Sequence, residues 1–163
     1  MFKKLRPLIF KFSPEVAHSL AIKALKSNLI PSNKVEEKPI LKTKLFGKDI
    51  KNPIGVAAGF DKNAEVYNPL FNLGFGFVEV GTITPESQYG NPKPRVFRLE
   101  EDNALINRLG FNNSGLDEIS FRIKKDLAKG FLGINIGPNK DTKNRVEDYL
   151  KCFRKFYNLG DYI

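Results

Sequence analysis

The chain has 163 residues, of which 41% are hydrophobic, so it is long and apolar enough to form a folded domain rather than a disordered segment. Its single cysteine, Cys152, and single histidine, His18, exclude an internal disulfide, a cysteine metal cluster and a histidine-based zinc site within this chain. The formal net charge of +9 raises the question of an anionic partner.

The positive charge is concentrated in the first third of the chain. Residues 1–51 hold 12 Lys and Arg against 4 Asp and Glu, whereas residues 52–163 hold 15 against 14. A nucleic-acid-binding face is expected to spread into the folded body, with aromatic residues interleaved. We therefore expect no nucleic-acid partner, and a non-catalytic basic module for nucleic acid or anionic lipid remains the alternative from another functional class.

Residues 1–30 are predicted to form two short amphipathic helices with basic flanks. The second is predicted to start with Ser13 as N-cap and Pro14 at the first helical position. The apolar positions are Phe2, Leu5, Ile9 and Phe12 in the first helix and Val16, Ala17, Leu20, Ala21, Ala24 and Leu25 in the second. The apolar run is too short to span a bilayer. Helices of this kind lie on a membrane surface, although helices that only pack on the main domain show the same pattern.

Residues 31–40 are predicted to be a linker, and residues 41–163 to form an α/β domain. A small hairpin is expected at Leu41–Ile50, around Gly47 and Lys48. Short buried strands are then predicted at 54–59, 77–82 and 132–136, with a fourth beginning at 162–163. Helices are predicted between them at 64–73, 115–129 and 145–159. This order is the first portion of a repeated βα architecture.

Polar residues follow or interrupt the predicted strands. The small, apolar run Ile54–Gly59 ends at Asp61, Lys62 and Asn63, and the next strand ends at Thr82. The third strand carries Asn135, whose amide needs hydrogen-bond partners if it is buried. A flavin edge or a planar substrate would supply them, and so would an internal hydrogen-bond network. A cofactor site at the carboxyl ends of the strands is the functional reading of this pattern.

A long polar loop, 81–115, separates the second strand from the next helix. It is rich in proline and glycine, and loops of this length are commonly functional. Asn107, Asn112 and Asn113 provide donors and acceptors suited to a ring with carbonyl and N–H edges, and Lys62 provides a cation for a carboxylate. A uracil-like ring bearing a carboxylate would satisfy these groups.

Five motifs carry a resemblance to a known family. They are N-P-I-G-V-A-A-G-F-D-K-N, G-F-G-F-V-E-V-G-T-I-T-P, G-N-P-K-P-R-V-F-R-L, I-N-R-L-G-F-N-N-S-G and L-G-I-N-I-G-P-N-K-D-T. In this order they closely resemble the membrane-associated, quinone-dependent (class 2) dihydroorotate dehydrogenases, from the N-terminal helices to the last residue. Several motifs in order are far more specific than one glycine-containing run. Ser87 stands where the family commonly has proline, which affects the stiffness of the loop.

The resemblance implies the N-terminal part, about three strands, of a (β/α)8 TIM barrel that binds flavin mononucleotide (FMN). The implied cofactor-binding residues are Ala58, Gly59, Phe60, Asp61, Lys62, Thr82 and Asn135. The implied substrate-binding residues are Lys62 and the substrate loop Asn107, Arg108, Leu109, Gly110 and Phe111. Arg98 is expected at the inner end of a quinone passage formed with the N-terminal helices. Its alternative is a surface arginine paired with Glu100 or Glu101.

The implied reaction is oxidation of dihydroorotate to orotate in pyrimidine biosynthesis, with FMN as hydride acceptor and a membrane quinone as final acceptor. The family's catalytic base is a serine expected beyond Ile163, and Cys152 is interpreted as structural rather than as its replacement. These implications predict that the chain alone is inactive. They also predict a peripheral location on the cytoplasmic face of the cell membrane. The soluble class of dihydroorotate dehydrogenases, which lacks the paired N-terminal helices, is the enzyme alternative.

Overall fold

The computed structural model describes residues 2–27 and 38–163. The predicted linker therefore lies mostly outside the described residues, as do the last three residues of the predicted N-terminal segment. At the start of the body, Pro39–Leu41 forms one turn of 3-10 helix.

The two helices predicted for the N-terminal segment are present. Helix α1 spans Phe2–Ile9 and helix α2 spans Pro14–Lys26. Ser13 is the N-cap residue of α2, and its carbonyl accepts from the Ala17 N–H at 3.0 Å, whereas its side chain makes no capping hydrogen bond to the described residues. In the described ranges, no helix combines the length and the apolarity that crossing a bilayer requires.

The apolar residues of α2 are divided between a buried side and an exposed side. The helix packs on the body through Ile22 and Leu25, which are buried, whereas Val16 and Leu20 are each 47% exposed. The sequence pattern could not separate these two sides because both are apolar. Large apolar residues of α1 and of the α1–α2 turn are exposed as well. We name this set the exposed apolar face, and it consists of Leu5, Leu8, Phe12, Val16 and Leu20.

The predicted hairpin is confirmed as strands β1 (Thr43–Leu45) and β2 (Lys48–Ile50), which pair antiparallel. Phe46, at its tip, has its ring centroid 6.5 Å from that of Phe131 and 5.5 Å from that of Tyr162. Phe131 begins a strand of the main sheet, so the hairpin covers the amino-terminal end of that sheet.

The main sheet has three parallel strands, which are β3 (Gly55–Val56), β4 (Phe77–Ile83) and β7 (Phe131–Ile136). Their order in the sheet is β3-β4-β7. The helices are α3 (Tyr67–Asn72), α4 (Leu116–Lys125) and α5 (Arg145–Phe156). The predicted order of strands and helices is confirmed, with shorter elements at several ends. The predicted fourth strand is present as a single parallel bridge between Tyr162 and Gly133.

Two strands inside the long loop were not predicted. Strand β5 (Val96–Leu99) pairs antiparallel with β6 (Ala104–Asn107). This hairpin extends from the carboxyl-terminal side of the sheet toward α2, which contacts β5. The long loop therefore contains an ordered hairpin that projects from the sheet. This hairpin brings residues near 95–107 to the N-terminal helices.

The core lies between the sheet and the helices. Val78, Val80, Leu132 and Ile134 are at most 1% exposed and pack with buried side chains of α3, α4 and α5. Helix α5 also carries apolar residues on its other side. We name these the outer face of α5, and they are Val146, Tyr149, Leu150, Phe153 and Tyr157, all at least 39% exposed.

Candidate functional site

The run that follows β3 reaches the carboxyl end of β4 through backbone hydrogen bonds. The Gly59 N–H donates to the Gly81 carbonyl at 2.8 Å, and the Gly81 N–H donates to the Asp61 carbonyl at 3.0 Å. Gly59 has a φ of +103°, and a Cβ added there would meet no atom of the described chain within 4 Å. The backbone beside Gly59 therefore faces open space, which suits a flat ligand.

A series of side-chain hydrogen bonds connects β4, β7 and Tyr162. The Thr82 hydroxyl donates to Asn135 Oδ1 at 2.6 Å, and Asn135 Nδ2 donates to Glu79 Oε1 at 3.1 Å. The Tyr162 hydroxyl donates to Glu79 Oε2 at 2.7 Å. Because the Thr82 proton is committed to Asn135, the Thr82 oxygen presents lone pairs, and a ligand that binds it must donate.

Glu79 joins this network although the sequence analysis did not select it. The sequence gives one indication of its role. Glu79 is a carboxylate between Val78 and Val80, which are both buried in the same strand. The internal network left open for Asn135 is therefore present in the structure. The network also fixes the orientation of the Asn135 amide, because a carboxylate can only accept and a hydroxyl donates to the amide oxygen.

Asp61 and Lys62 are adjacent in sequence, but their side chains lie in different environments. The Asp61 side chain is 1% exposed, and its two oxygens accept from the Glu65 and Val66 N–H groups at 2.7 Å each. Burial raises the pKa of the Asp61 carboxyl, and these two hydrogen bonds oppose that effect. Its carboxylate thus holds the turn before α3 rather than facing the open space.

Lys62 lines a large cavity. Its Nζ donates to the Gly59 carbonyl at 2.7 Å, and the side chain is half-buried. Burial lowers the pKa of the Lys62 ammonium below 10.5, while the nearby Glu15 carboxylate opposes this and the Arg95 guanidinium adds to it. An ammonium has three donors, so Lys62 can bind an anionic ligand while keeping its contact with Gly59.

The substrate loop Asn107–Phe111 has its backbone carbonyls bound by protein donors. Four of these bonds are Asn91 Nδ2 to Arg108 O at 2.8 Å, Asn91 N to Leu109 O at 3.0 Å, Gln88 Nε2 to Gly110 O at 3.0 Å and Asn113 Nδ2 to Phe111 O at 2.8 Å. The Phe111 ring also comes near the strand ends, because a Cβ on Gly137 would lie 2.8 Å from Thr82 Cγ2 and 3.7 Å from that ring. The structure thus brings the predicted substrate loop to the predicted cofactor residues.

The three asparagines selected from the sequence have different environments. Asn107 is exposed at the end of β6, and its Oδ1 accepts from the Leu109 N–H at 3.4 Å. Asn113 is buried and bonds Thr84, Phe111 and Gly115, so its amide is used within the protein. Asn112 lines the cavity, and its buried Oδ1 has no hydrogen-bond partner among the described residues. Asn107 is therefore the one of the three whose side chain is exposed to a ligand, whereas the Asn112 Oδ1 is buried without a partner among the described residues.

The cavity has a volume of about 1360 Å³ and lies between the N-terminal helices, the run at Gly59–Asn63 and the β5–β6 hairpin. His18 of α2 bonds the Phe60 carbonyl through Nε2 at 2.7 Å, and burial lowers the pKa of its imidazole below 6.5. His18 is therefore neutral at pH 7 and donates to that carbonyl. The cavity connects the surroundings of Lys62 with α1 and α2.

Arg98 lies against the N-terminal helices. Its Nη1 donates to the Phe10 carbonyl at 3.3 Å and to the Phe12 carbonyl at 2.8 Å, and its guanidinium carbon is 4.4 Å from the centre of the Phe10 ring. Among the ion pairs of residues 2–27 and 38–163, none joins Arg98 to Glu100 or Glu101. Arg98 thus anchors the α1–α2 turn at the cavity wall.

Cys152 is fully buried in α5, with its Sγ 3.8 Å from the Ile83 carbonyl. Burial raises the pKa of its thiol to about 12. The thiol is therefore protonated at neutral pH, which agrees with a structural role. Within the described part of the chain, no cluster of three His, Cys, Asp or Glu residues could hold a metal ion.

The chain is similar in sequence to a family of known enzymes. The family model described as dihydroorotate dehydrogenase matches residues 40–163. Dihydroorotate dehydrogenase (quinone) from Rhizobium etli (strain CIAT 652) is 50% identical over 163 residues, which are 99% of this chain and 45% of that protein. The protein of the same name from Rhodospirillum rubrum is 50% identical over 157 residues, 96% of this chain and 43% of that protein.

Solved structures give the same relationship. The crystal structure of DHODH from Eimeria tenella in complex with ferulenol matches with a TM-score of 0.86 and 43% identity, over 92% of this chain and 42% of that one. The parallel βα order and this likeness confirm the predicted fold class, which is part of a (β/α)8 barrel that does not close within the described residues. The chain spans less than half the length of the relatives it matches.

Proposed function

The chain belongs to the dihydroorotate dehydrogenase family, and from this premise we propose that it supplies one wall of the active site of a quinone-dependent dihydroorotate dehydrogenase. The observation that carries the proposal is the position of Lys62. Its ammonium lies beside the open backbone at Gly59, and it lines the same cavity as Leu109 of the substrate loop and as residues of α1 and α2. Cofactor, substrate and electron acceptor would thus meet around one cation.

FMN is the cofactor we propose for this wall, and the residues present fit it. The open space at Gly59 accommodates a flat ring, and the Thr82 oxygen, as an acceptor, matches a ring N–H. Ala58, Gly59, Phe60 and Lys62 would line the ring, with Thr82 and Asn135 at its polar edge. Asp61, whose carboxylate is used by the turn before α3, would contribute through its backbone. When bound, the flavin supplies hydride acceptance and electron transfer to quinone.

The residues of this chain would bind and orient dihydroorotate. Lys62 would pair with the substrate carboxylate, and Asn107 would hydrogen-bond the pyrimidine ring. The backbone of the substrate loop is held through its carbonyls, so its N–H groups are positioned before the ligand arrives. The proton at C5 must be removed by a base, and we propose that a serine outside these 163 residues removes it.

Quinone access is proposed through the cavity beneath α1 and α2. Its wall combines the rings of Phe10 and Phe60 with the Arg98 guanidinium, a mixture suited to an apolar molecule that carries carbonyl oxygens. Arg98 would donate to a quinone oxygen while its other contacts hold the α1–α2 turn.

The proposal is tested in an assembled enzyme, which consists of residues 1–163 joined to the portion of the Rhizobium etli relative that lies outside the match. The protein should retain FMN, and anaerobic dihydroorotate should bleach the flavin absorbance near 450 nm, a wavelength characteristic of oxidised flavins in general. A quinone analogue should then restore the absorbance. Restoration by NAD or fumarate but not by quinone would contradict the quinone assignment and favour the soluble class.

The exposed apolar face supports a proposed peripheral location on the cytoplasmic face of the cell membrane. Its five large side chains belong to two helices with basic flanks and to the turn between them. Replacing Leu8 and Leu20 together by serine should lower the fraction of protein that floats with anionic vesicles by at least about 10-fold, because two leucines no longer enter the lipid. The control is Leu127→Ser, since Leu127 is 72% exposed outside this face. Equal flotation of the double variant and the control would contradict the proposal.

A further inference from the structure

Arg95 is a buried cation that joins two distant parts of the chain. Its side chain is 6% exposed, and it lies in the loop just before β5. On one side, its Nε and Nη2 donate to Oε1 of Glu15 in α2 at 3.0 and 2.8 Å. The Glu15 side chain is itself only 22% exposed. The pair therefore connects α2 to a loop 80 residues later in the sequence.

The other side of the same guanidinium holds the backbone of the loop. Arg95 Nη1 donates to the carbonyls of Tyr89, Asn91 and Leu109, at 3.0 Å for Asn91 and 3.5 Å for Leu109. Leu109 is the central residue of the substrate loop. A Cβ on Gly90 would lie 2.8 Å from Nη1, so the glycine leaves the room that the guanidinium occupies.

The substrate loop is attached to Arg95 at a second point. The Arg108 N–H donates to the Arg95 carbonyl at 2.8 Å. The side chain and the backbone of Arg95 thus contact two consecutive residues of this loop. A change in the position of Arg95 would therefore move the loop directly.

A buried guanidinium is stable only if its charge is compensated. Three carbonyl dipoles contribute, and the Glu15 carboxylate supplies a full opposite charge. The hydrogen bond from Arg95 is also the largest cause that lowers the pKa of the Glu15 carboxyl, so this carboxylate is charged at neutral pH. Glu15 therefore keeps Arg95 in the position from which it binds the loop carbonyls.

We propose that Glu15 and Arg95 are positioning residues for the substrate loop, so that the seating of helix α2 sets the geometry of the dihydroorotate site. The identity of the ligand rests on the proposed function, whereas the contacts that connect α2 to the loop through Glu15 and Arg95 do not. The link works through charge compensation, and removing the charge of Glu15 loosens the hold of Arg95 on Leu109.

A matched control is present on the same helix. Lys26 of α2 pairs with Glu65 at 2.7 Å, and it also connects α2 to the body, but this pair makes no contact with the substrate loop among the described hydrogen bonds. Lys26 is mostly exposed. Glu15→Gln and Lys26→Gln therefore each remove one tether of α2, and only the first is expected to act on the loop.

The first experiment measures amide hydrogen exchange in the assembled enzyme without added dihydroorotate, with the amides of β7 as internal reference. In Glu15→Gln, the Arg108 and Asn91 amides, which donate to the Arg95 and Leu109 carbonyls, should exchange about 10- to 100-fold faster, the factor expected for loss of one charge-assisted hydrogen bond. Exchange in β7 should be unchanged, and Lys26→Gln should resemble the wild type. Unchanged loop exchange in Glu15→Gln, or equal acceleration by both variants, would overturn the proposal whatever reaction the protein catalyses.

The second experiment measures kinetics in the assembled enzyme. Glu15→Gln should raise KM for dihydroorotate about 10-fold or more while kcat and KM for quinone change by less than about 3-fold, since the link acts on the substrate loop. Arg95→Lys should give an intermediate KM, because lysine keeps the charge but lacks the planar guanidinium that donates several hydrogen bonds in fixed directions. An effect confined to the KM for quinone would overturn the proposal and assign Glu15 to the passage instead.

Discussion

Replacing Lys62 by methionine in the assembled enzyme is expected to lower kcat/KM for dihydroorotate about 100- to 1,000-fold, the cost of losing one charged contact in a desolvated site. Methionine keeps most of the length and apolar stem of lysine and removes the ammonium. Lys62 lies half-buried at the wall of the cavity, so solvent cannot replace the lost charge as it would at the surface. The loss should be largest for the carboxylate-bearing substrate and small for FMN.

The measurement compares steady-state rates and FMN affinity for Lys62→Met and for Lys23→Met. Lys23 is exposed on α2 and borders the same cavity, so its replacement makes an equal change in net charge without removing the proposed contact. Equal losses in the two variants would show that the effect is only electrostatic attraction of an anion. A drop of less than about 3-fold in Lys62→Met would remove Lys62 from the proposed site.

The same lysine predicts a pH dependence. Burial lowers the pKa of Lys62 below its ordinary value of 10.5, so the ammonium loses its proton at a lower pH than a surface lysine does. Only the charged form binds a carboxylate, and therefore KM for dihydroorotate should begin to rise below pH 10.5 as pH increases. In Lys62→Met this rise should be absent.

Residues 1–163 alone are expected to show no measurable dihydroorotate-dependent reduction of quinone. A (β/α)8 barrel takes about 250 residues, and the described sheet contains three of its strands. The flavin phosphate site of such barrels is commonly built after the seventh and eighth strands. The outer face of α5 and the edge of β7 are also left for neighbours to cover, and they should cause self-association.

Size-exclusion chromatography, flavin fluorescence and the quinone assay together check this expectation. The chain alone should elute as mixed oligomers without FMN, whereas the assembled enzyme should bind FMN. Replacing Phe153 and Tyr157 by serine should shift the isolated chain toward the monomer, because both residues belong to the outer face of α5. Tight FMN binding and turnover by the isolated chain would contradict the prediction.

The fold could be predicted where the sequence has one dominant local pattern. Phe77–Ile83 and Phe131–Ile136 alternate or run apolar between glycines, and both were found as strands. The β5–β6 hairpin was missed although Val96–Leu99 and Ala104–Asn107 flank a polar turn, because the residues of β6 are all exposed and no buried face marks their period. The side of α2 that packs on the body could not be selected from the pattern, since apolar residues occur on both sides of the helix.

The site was predictable only in its residue types. Lys62 and the substrate loop carry charged and amide groups that suit a ligand. The adjacent Asp61 is also charged, but its carboxylate binds the backbone of the turn before α3. Glu79 contacts Asn135, and Glu15 contacts the substrate loop only through Arg95, so the importance of these residues depends on partners that only the fold brings together. Nothing in the local sequence around Arg95 indicates that it is buried.

The separation of Glu15 and Arg95 has a consequence for the order of events during synthesis. Helix α2 emerges from the ribosome 80 residues before the cation that fixes it, a delay of roughly 4–16 s at typical translation speeds. During that interval the two amphipathic helices lack the tertiary partner that fixes them, and a nearby lipid surface has no competitor for them. With the proposed peripheral location, the nascent chain would therefore reach the membrane first, and the loop at 107–111 would be built onto a helix that already lies on lipid.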